Sequence, residues 1–166
     1  MNLSLEWSDH INSFNSMKIL MHRDRLLRIT QWLNGEVALP PPIFASIDPT
    51  SHCPYDCIWC NSYSARKTPA EIPTELLLEM PKFLKNWGVK AACVGGGGES
   101  LAHPDWAKLI LTLKQEGLGI CCVTNGFYLD RKDDDENIFY EVSIDCKRWI
   151  GISVDAGTKA TYEYVH

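Results

Sequence analysis

Residues 43–60 read IFASIDPTSHCPYDCIWC, and this stretch joins a short apolar segment to a loop that holds three cysteines. The segment from Ile43 to Asp48 follows Pro40 to Pro42, which force the chain into an extended conformation, so it is predicted to be a buried strand. Cys53, Cys57 and Cys60 follow within eight residues, in the spacing C-x3-C-x2-C. The sequence therefore places three thiols directly after the carboxyl end of a predicted strand.

The same alternation of strand and helix continues along the chain. Apolar residues at helical spacing predict helices over about 22–33, 74–87, 104–116 and 137–147, with a last one from near Thr158. Apolar runs predict further strands over 89–94, 119–124 and 150–154. Thr74 and Asp155 are expected as N-caps, and Gly88 as a helix end. Apolar strands that alternate with amphipathic helices indicate an α/β fold, with a parallel sheet and helices on its outer face.

Polar or glycine-rich residues follow each predicted strand. They are the cysteine loop, the glycines before Glu99, the pair Thr124-Asn125, and Asp155. In parallel sheets with covering helices, the active site lies at the carboxyl ends of the strands. The sequence therefore predicts that these four segments meet on one rim.

Composition limits the class of protein and its partners. The 166 residues are 45% hydrophobic and 22% charged, enough for one domain with a hydrophobic core. A net charge of −5 with scattered Lys and Arg gives no basic surface for nucleic acid. No apolar run approaches the roughly 20 residues of a membrane helix, and residues 1–6 lack a secretion signal. We therefore expect a cytoplasmic protein with no nucleic-acid or membrane partner.

The clustered cysteines indicate metal binding or catalysis, because disulfides are rarely maintained in a reducing compartment. Soft thiolates suit iron–sulfur clusters, and three of them can hold three irons of a four-iron cluster and leave the fourth open. A zinc site with His52 as fourth ligand and a redox thiol pair are the alternatives, although adjacent residues rarely converge on one tetrahedral ion. Four other cysteines are expected to be small hydrophobic residues of the core: Cys93, Cys121, Cys122 and Cys146.

The motifs together resemble the radical S-adenosylmethionine (SAM) superfamily. C-x3-C-x2-C with an aromatic residue, Trp59, before the last cysteine is similar to the signature of that family, and the segment ending in Glu99 resembles its Gly-Gly-Glu motif. Thr124-Asn125-Gly126 and Ser153-Val154-Asp155 resemble its strand-end motifs. One departure is Ser100, where the family usually has proline and where we expect a small residue that caps the next segment.

The resemblance implies a partial (β/α) barrel of the TIM type, with about four parallel strands and outer helices. Residues 1–42 would be a helical lead-in similar to that of members with a C-terminal auxiliary-cluster domain, and residues 43–166 a core truncated before barrel closure. The implied ligands of a [4Fe–4S] cluster are Cys53, Cys57 and Cys60. The implied SAM-binding residues are Trp59, Gly97, Gly98, Glu99, Thr124 and Ser153.

The resemblance also implies a reaction. A family member cleaves SAM reductively to a 5′-deoxyadenosyl radical that abstracts hydrogen from substrate, with no catalytic residue beyond the cluster site. It implies an electron donor similar to flavodoxin or ferredoxin, and a peptide or, second, a small molecule as substrate. The alternative is a non-catalytic remnant, or a cluster-binding module that needs a partner or a missing C-terminal half. His103, directly before Pro104, is expected to have a structural role at a helix start.

Overall fold

The structure, a computed structural model, describes residues 22–130 and 149–166. The described helices are α1 (Arg23–Leu33), α2 (Tyr63–Arg66), α3 (Thr74–Trp87), α4 (Trp106–Gln115) and α5 (Lys159–Val165). The described strands are β1 (Phe44–Ile47), β2 (Ala91–Val94), β3 (Gly119–Thr124) and β4 (Trp149–Ile152). A 3₁₀ turn, Ser100–Ala102, precedes α4. The predicted helix at 137–147 and Cys146 lie outside the described residues.

The described strands form one parallel sheet in the order β1-β2-β3-β4. Ile47 pairs with Val94, Val94 with Cys122, and Thr124 with Ile152, so the carboxyl ends of neighbouring strands lie side by side. The α/β architecture with parallel strands is confirmed. Because all strands run the same way, the segments that follow them emerge at the same edge of the sheet.

Helices α3 and α4 cover one face of this sheet with aliphatic side chains. Leu77 from α3 and Leu109, Ile110 and Leu113 from α4 are completely buried. They pack in one cluster with alternate residues of the central strands, among them Val94, Ile120 and Cys122. Full burial of one such aliphatic side chain contributes roughly 1.5–3 kcal/mol, so this layer is the main core of the described residues. Cys93 and Cys121 are buried in the same strands, as expected.

Helix α3 ends as predicted and begins differently. Gly88 adopts φ +103°, a left-handed conformation that a residue with a Cβ accommodates poorly. Its N–H donates to the carbonyls of Leu84 and Lys85. The prediction that Thr74 caps the helix is wrong, because Thr74 is its first residue and makes no cap bond. Its hydroxyl donates instead to Asp105 Oδ2 at 2.5 Å, since an ionised carboxylate is the stronger acceptor.

Two buried polar side chains attach the flanking segments to this core. Arg25 of α1 donates to Pro41 O at 2.5 Å and to Gly88 O at 3.0 Å. His103 lies with Nε2 3.0 Å from Ile72 O, and its Nδ1 accepts from the amide of the residue two positions on, at 3.1 Å. The structural role expected for His103 is therefore confirmed. None of the helices in the described ranges has the length and apolar character needed to cross a membrane.

Candidate functional site

The three clustered cysteines line a cleft at the carboxyl edge of the sheet, which we call the rim cleft. Cys53, Cys57 and Cys60 are half-buried and line this space of about 370 Å³. The space is also lined by residues at the ends of β2, β3 and β4 or just after them: Gly96, Gly98, Glu99, Val123, Thr124, Asn125, Ser153 and Asp155. The segments predicted to share one rim thus lie around one cleft.

Gly98 allows the glycine run to pack directly on the start of the cysteine loop. A Cβ at this position would lie 2.7 Å from Thr50 O and 2.6 Å from the carbonyl carbon of Ser51, and would also overlap His52 O. The next residue donates its N–H to His52 O at 2.8 Å. A glycine is therefore required at position 98, because its backbone packs directly against the backbone of residues 50–52. Gly97 is not among the residues that line the rim cleft, and a Cβ on it would meet only Asp48, at 3.6 Å.

Glu99 is buried and accepts hydrogen bonds from the end of β3. Its Oε1 accepts from Thr124 Oγ1 at 2.8 Å and from Leu101 N at 3.2 Å, and its Oε2 accepts from Asn125 N at 2.7 Å. An ionised carboxylate has about four acceptor sites, so one remains on Oε2. Thr124 also accepts from Gly126 N at 3.0 Å, and its hydroxyl is thereby fixed on Glu99. The Thr124 hydroxyl thus holds the Glu99 carboxylate in place.

Ser100 occupies the position where a proline was expected from the resemblance. The expectation that it caps the next segment is wrong, because Glu99 is the residue that caps the 3₁₀ turn, through the bond from Leu101 N. The Ser100 hydroxyl donates to Val123 O at 3.3 Å instead. A serine here adds a bond to β3 and keeps the turn in place.

Two residues for which the sequence predicted no contact with sulfur lie against the cysteine thiols. Asn125 Nδ2 lies 3.6 Å from Cys53 Sγ, and His166 Nδ1 lies 3.1 Å from Cys57 Sγ. Only the strand-end position of Asn125 gave a signal for this, and His166 gave none. Asp155, expected as an N-cap, lies with Oδ2 3.3 Å from His166 Nε2.

Thr158 fills the capping role that was expected of Asp155. Its Oγ1 accepts from Thr161 N at 3.2 Å at the start of α5. The prediction for Asp155 is wrong because Thr158 stands immediately before the helix, where a side-chain oxygen reaches the first-turn amides.

Burial raises the pKa of Cys57, and the neighbouring Cys53 and Cys60 raise it further. Arg66 lies on the outer side of the same loop, where it donates to Tyr55 O and, at 3.0 Å, to Asp56 Oδ1. Burial lowers the Arg66 pKa, but its interactions with Cys60 and then Asp56 outweigh that effect and the net shift is upward. The loop thus combines three thiols with one buried cation.

Trp59 and Ser153 both line the rim cleft. Trp59 is 52% exposed, and the centre of its ring lies 6.4 Å from that of His166. The Ser153 amide donates to Thr124 O at 2.9 Å, which holds the start of this segment next to β3. The side chains of both residues are open to a molecule in the cleft.

A sequence model of the radical SAM superfamily matches residues 47–166. The chain belongs to the radical SAM superfamily. The family suggested by the cysteine spacing is therefore confirmed. No curated protein sequence matches the chain.

Two solved structures are similar to this radical SAM chain. SuiB from Streptococcus suis, bound to its precursor peptide SuiA, has 17% identity and a TM-score of 0.63 over 87% of this chain and 31% of SuiB. BtrN, in complex with AdoMet and 2-DOIA, has 18% identity and a TM-score of 0.54 over 74% of this chain and 50% of BtrN. At these identities the likeness shows the fold. The chain spans about a third of the length of SuiB and half that of BtrN.

Radical SAM proteins generally carry a [4Fe–4S] cluster and SAM, and the residues of the rim cleft fit such a pair. The thiols of such a cluster bind different irons, so their sulfurs do not converge on one point. In the described ranges, no three Cys, His, Asp or Glu side chains are arranged around a single ion. Arg66 Nε and His166 Nε2 are buried without a hydrogen-bond partner in those ranges, and both side chains lie beside cysteines of the loop. His52, the alternative zinc ligand, has Nε2 3.8 Å from Glu71 Oε1.

Proposed function

We propose that this chain binds a [4Fe–4S] cluster through Cys53, Cys57 and Cys60, binds SAM in the same cleft, and starts radical chemistry there. The observation that carries the proposal is the rim cleft itself. The three thiols line it together with a buried carboxylate, Glu99, that has an acceptor site left over among the described residues. A soft-ligand site and an anionic site for a cationic amine thus face one space.

The roles of the side chains follow from their contacts. When bound together, the two cofactors supply a one-electron cleavage of SAM that yields methionine and a 5′-deoxyadenosyl radical able to abstract hydrogen from a substrate. Glu99 would accept a hydrogen bond from the SAM ammonium group, and Thr124 and Asn125 hold its carboxylate in place. Trp59, which lines the cleft, would shield the cluster from water. Ser153 presents a hydroxyl to the same space.

Anaerobic reconstitution of the full chain with iron and sulfide tests the proposal. We expect the wild-type chain to bind about four irons per chain, as a four-iron cluster requires, and to form 5′-deoxyadenosine when dithionite and SAM are added. Cys57→Ala should lose both, and Cys93→Ala, a buried cysteine outside the cleft, should keep the cluster. Zinc in place of iron would contradict the proposal. A cluster without SAM cleavage would favour the cluster-binding module instead.

A peptide is the substrate class that we propose first. The support is the likeness to SuiB, a protein whose structure contains its precursor peptide, although this chain spans 31% of SuiB. For the electron, we propose a donor similar to flavodoxin or ferredoxin. Replacing dithionite by a reduced flavodoxin in the cleavage assay tests the donor, and deuterium transfer from a labelled candidate peptide into 5′-deoxyadenosine tests the substrate class.

A further inference from the structure

The side chain of His166 reaches from the end of α5 to the middle cysteine of the loop. Its Nδ1 lies 3.1 Å from Cys57 Sγ, across a sequence separation of 109 residues. Only 5% of the side chain is exposed, so water does not compete for this contact. The contact therefore has the distance and the burial of a specific hydrogen bond to sulfur.

The imidazole of His166 packs against two tyrosine rings that also contact each other. The centres of the Tyr162 and Tyr55 rings lie 4.2 Å and 4.6 Å from that of His166. The two tyrosines are joined by a hydrogen bond from Tyr162 Oη to Tyr55 Oη at 2.9 Å. Asp155 Oδ2 lies 3.3 Å from Nε2, but no hydrogen bond joins the two atoms. The orientation that directs Nδ1 to Cys57 is therefore built by ring packing.

The backbone holds the same two segments together. The amide of Asp56 donates to His166 O, and the amide of Ile58 donates to Val165 O, both at 3.2 Å. These residues flank Cys57 on each side, so the last turn of α5 is attached to the loop exactly where the middle thiol stands. The Nδ1–Sγ distance follows from main-chain bonds as well as from side-chain packing.

A hydrogen bond to a ligating sulfur acts on the electron that a cluster accepts. A metal-bound thiolate has no proton, so in this contact the sulfur accepts and Nδ1 donates. Reduction adds negative charge to the cluster and its sulfurs, and a donor stabilises the more negative state, which raises the reduction potential. The corresponding contact at Cys53 is longer, 3.6 Å from Asn125 Nδ2, and would act more weakly.

We propose that His166 is a positioning residue that donates a hydrogen bond from Nδ1 to the Cys57 sulfur and raises the reduction potential of the cluster. The inference rests on the proposed function, because it requires a cluster on Cys57. Its consequence is that electron transfer into the rim cleft depends on a side chain outside the cysteine loop.

Redox titration of the reconstituted full chain, followed by electron paramagnetic resonance, tests the inference. His166→Phe keeps an aromatic ring beside the two tyrosines and removes the donor. We expect the ratio of reduced to oxidised cluster at a fixed potential to fall at least tenfold, which is about 59 mV for one electron. His166→Asn places an amide N–H near the position of Nδ1 and should restore the wild-type ratio. Tyr162→Phe, which changes the same packing but not the sulfur contact, should leave the ratio unchanged.

The outcomes separate this inference from the proposed function. A wild-type chain that binds no cluster would overturn the proposed function. A wild-type cluster with the same ratio in His166→Phe would overturn the inference alone, and so would an equal fall in Tyr162→Phe. If His166→Phe does not retain a cluster, the Asn variant is compared with His166→Gln, whose donor is displaced by one methylene. A lower ratio in Gln than in Asn supports the inference, and equal ratios overturn it.

Discussion

Replacement of Gly98 by alanine should unfold the junction between the glycine run and the cysteine loop. The new Cβ would overlap the main chain at Thr50 and Ser51, 2.7 Å and 2.6 Å away, and a backbone neighbour cannot rotate aside. We expect strain of about 1–3 kcal/mol, and loss of the Glu99 N–His52 O hydrogen bond should add about 0.5–1.5 kcal/mol. The free energy of unfolding should therefore fall by about 1.5–4.5 kcal/mol.

Gly97→Ala is the matched control for this prediction. Its Cβ would meet Asp48 at 3.6 Å, an ordinary contact, and the backbone there does not have a positive φ. The control should change stability by no more than about 0.5 kcal/mol. Urea unfolding of the cofactor-free wild type and both variants, followed by far-ultraviolet circular dichroism, measures the difference. Equal midpoints for Gly97→Ala and Gly98→Ala would refute the reasoning that a backbone contact requires the glycine.

Three further changes test other contacts. Arg25→Met leaves two part-buried carbonyls, those of Pro41 and Gly88, without this donor and should lower the free energy of unfolding by about 1–3 kcal/mol in urea, whereas Arg28→Met on the same helix should not. Glu99→Gln places an amide against the donors around the carboxylate and should cost about 1–3 kcal/mol even without cofactors, which thermal unfolding detects; an unchanged Tm would contradict it. The hydrogen bond to Tyr55 and burial raise the pKa of Tyr162 to about 12 from 10.0. The fold favours the neutral phenol, so this contribution to stability is complete below about pH 10 and is lost as pH rises through about 12. Tyr162→Phe should therefore remove a step near pH 12 from an ultraviolet titration of the pKa values of the tyrosines.

The sequence was sufficient for the fold because the signals that specify it are local. The strand over 119–124 coincides with β3, and the Gly88 helix end was predicted because a left-handed C-cap favours glycine. The rule that parallel strands present their carboxyl ends together then predicted that Glu99 and Thr124 share one rim with the cysteines. None of these steps required knowledge of a distant contact.

The sequence was insufficient where a side chain had two competing partners or a distant one. Thr74 and Asp155 are both residue types that commonly cap helices. In the folded chain, however, Thr74 donates a hydrogen bond to Asp105, and Asp155 lies next to His166. The requirement at Gly98 also escaped the sequence, since it comes from backbone atoms more than 40 residues earlier in the chain. His166 and Cys57 are 109 residues apart in the sequence, so no local sequence pattern predicts their contact.

The two main-chain bonds between α5 and the cysteine loop set an order for biosynthesis. The cysteines leave the ribosome more than a hundred residues before Val165 and His166. The carbonyls of these two residues accept hydrogen bonds from the amides of Ile58 and Asp56. During that interval the segment around Cys57 lacks its final acceptors and its thiols are open to oxygen and to stray metal ions. Under the proposed function, iron and sulfide delivered during translation would therefore meet an incomplete site until Val165 and His166 have been made.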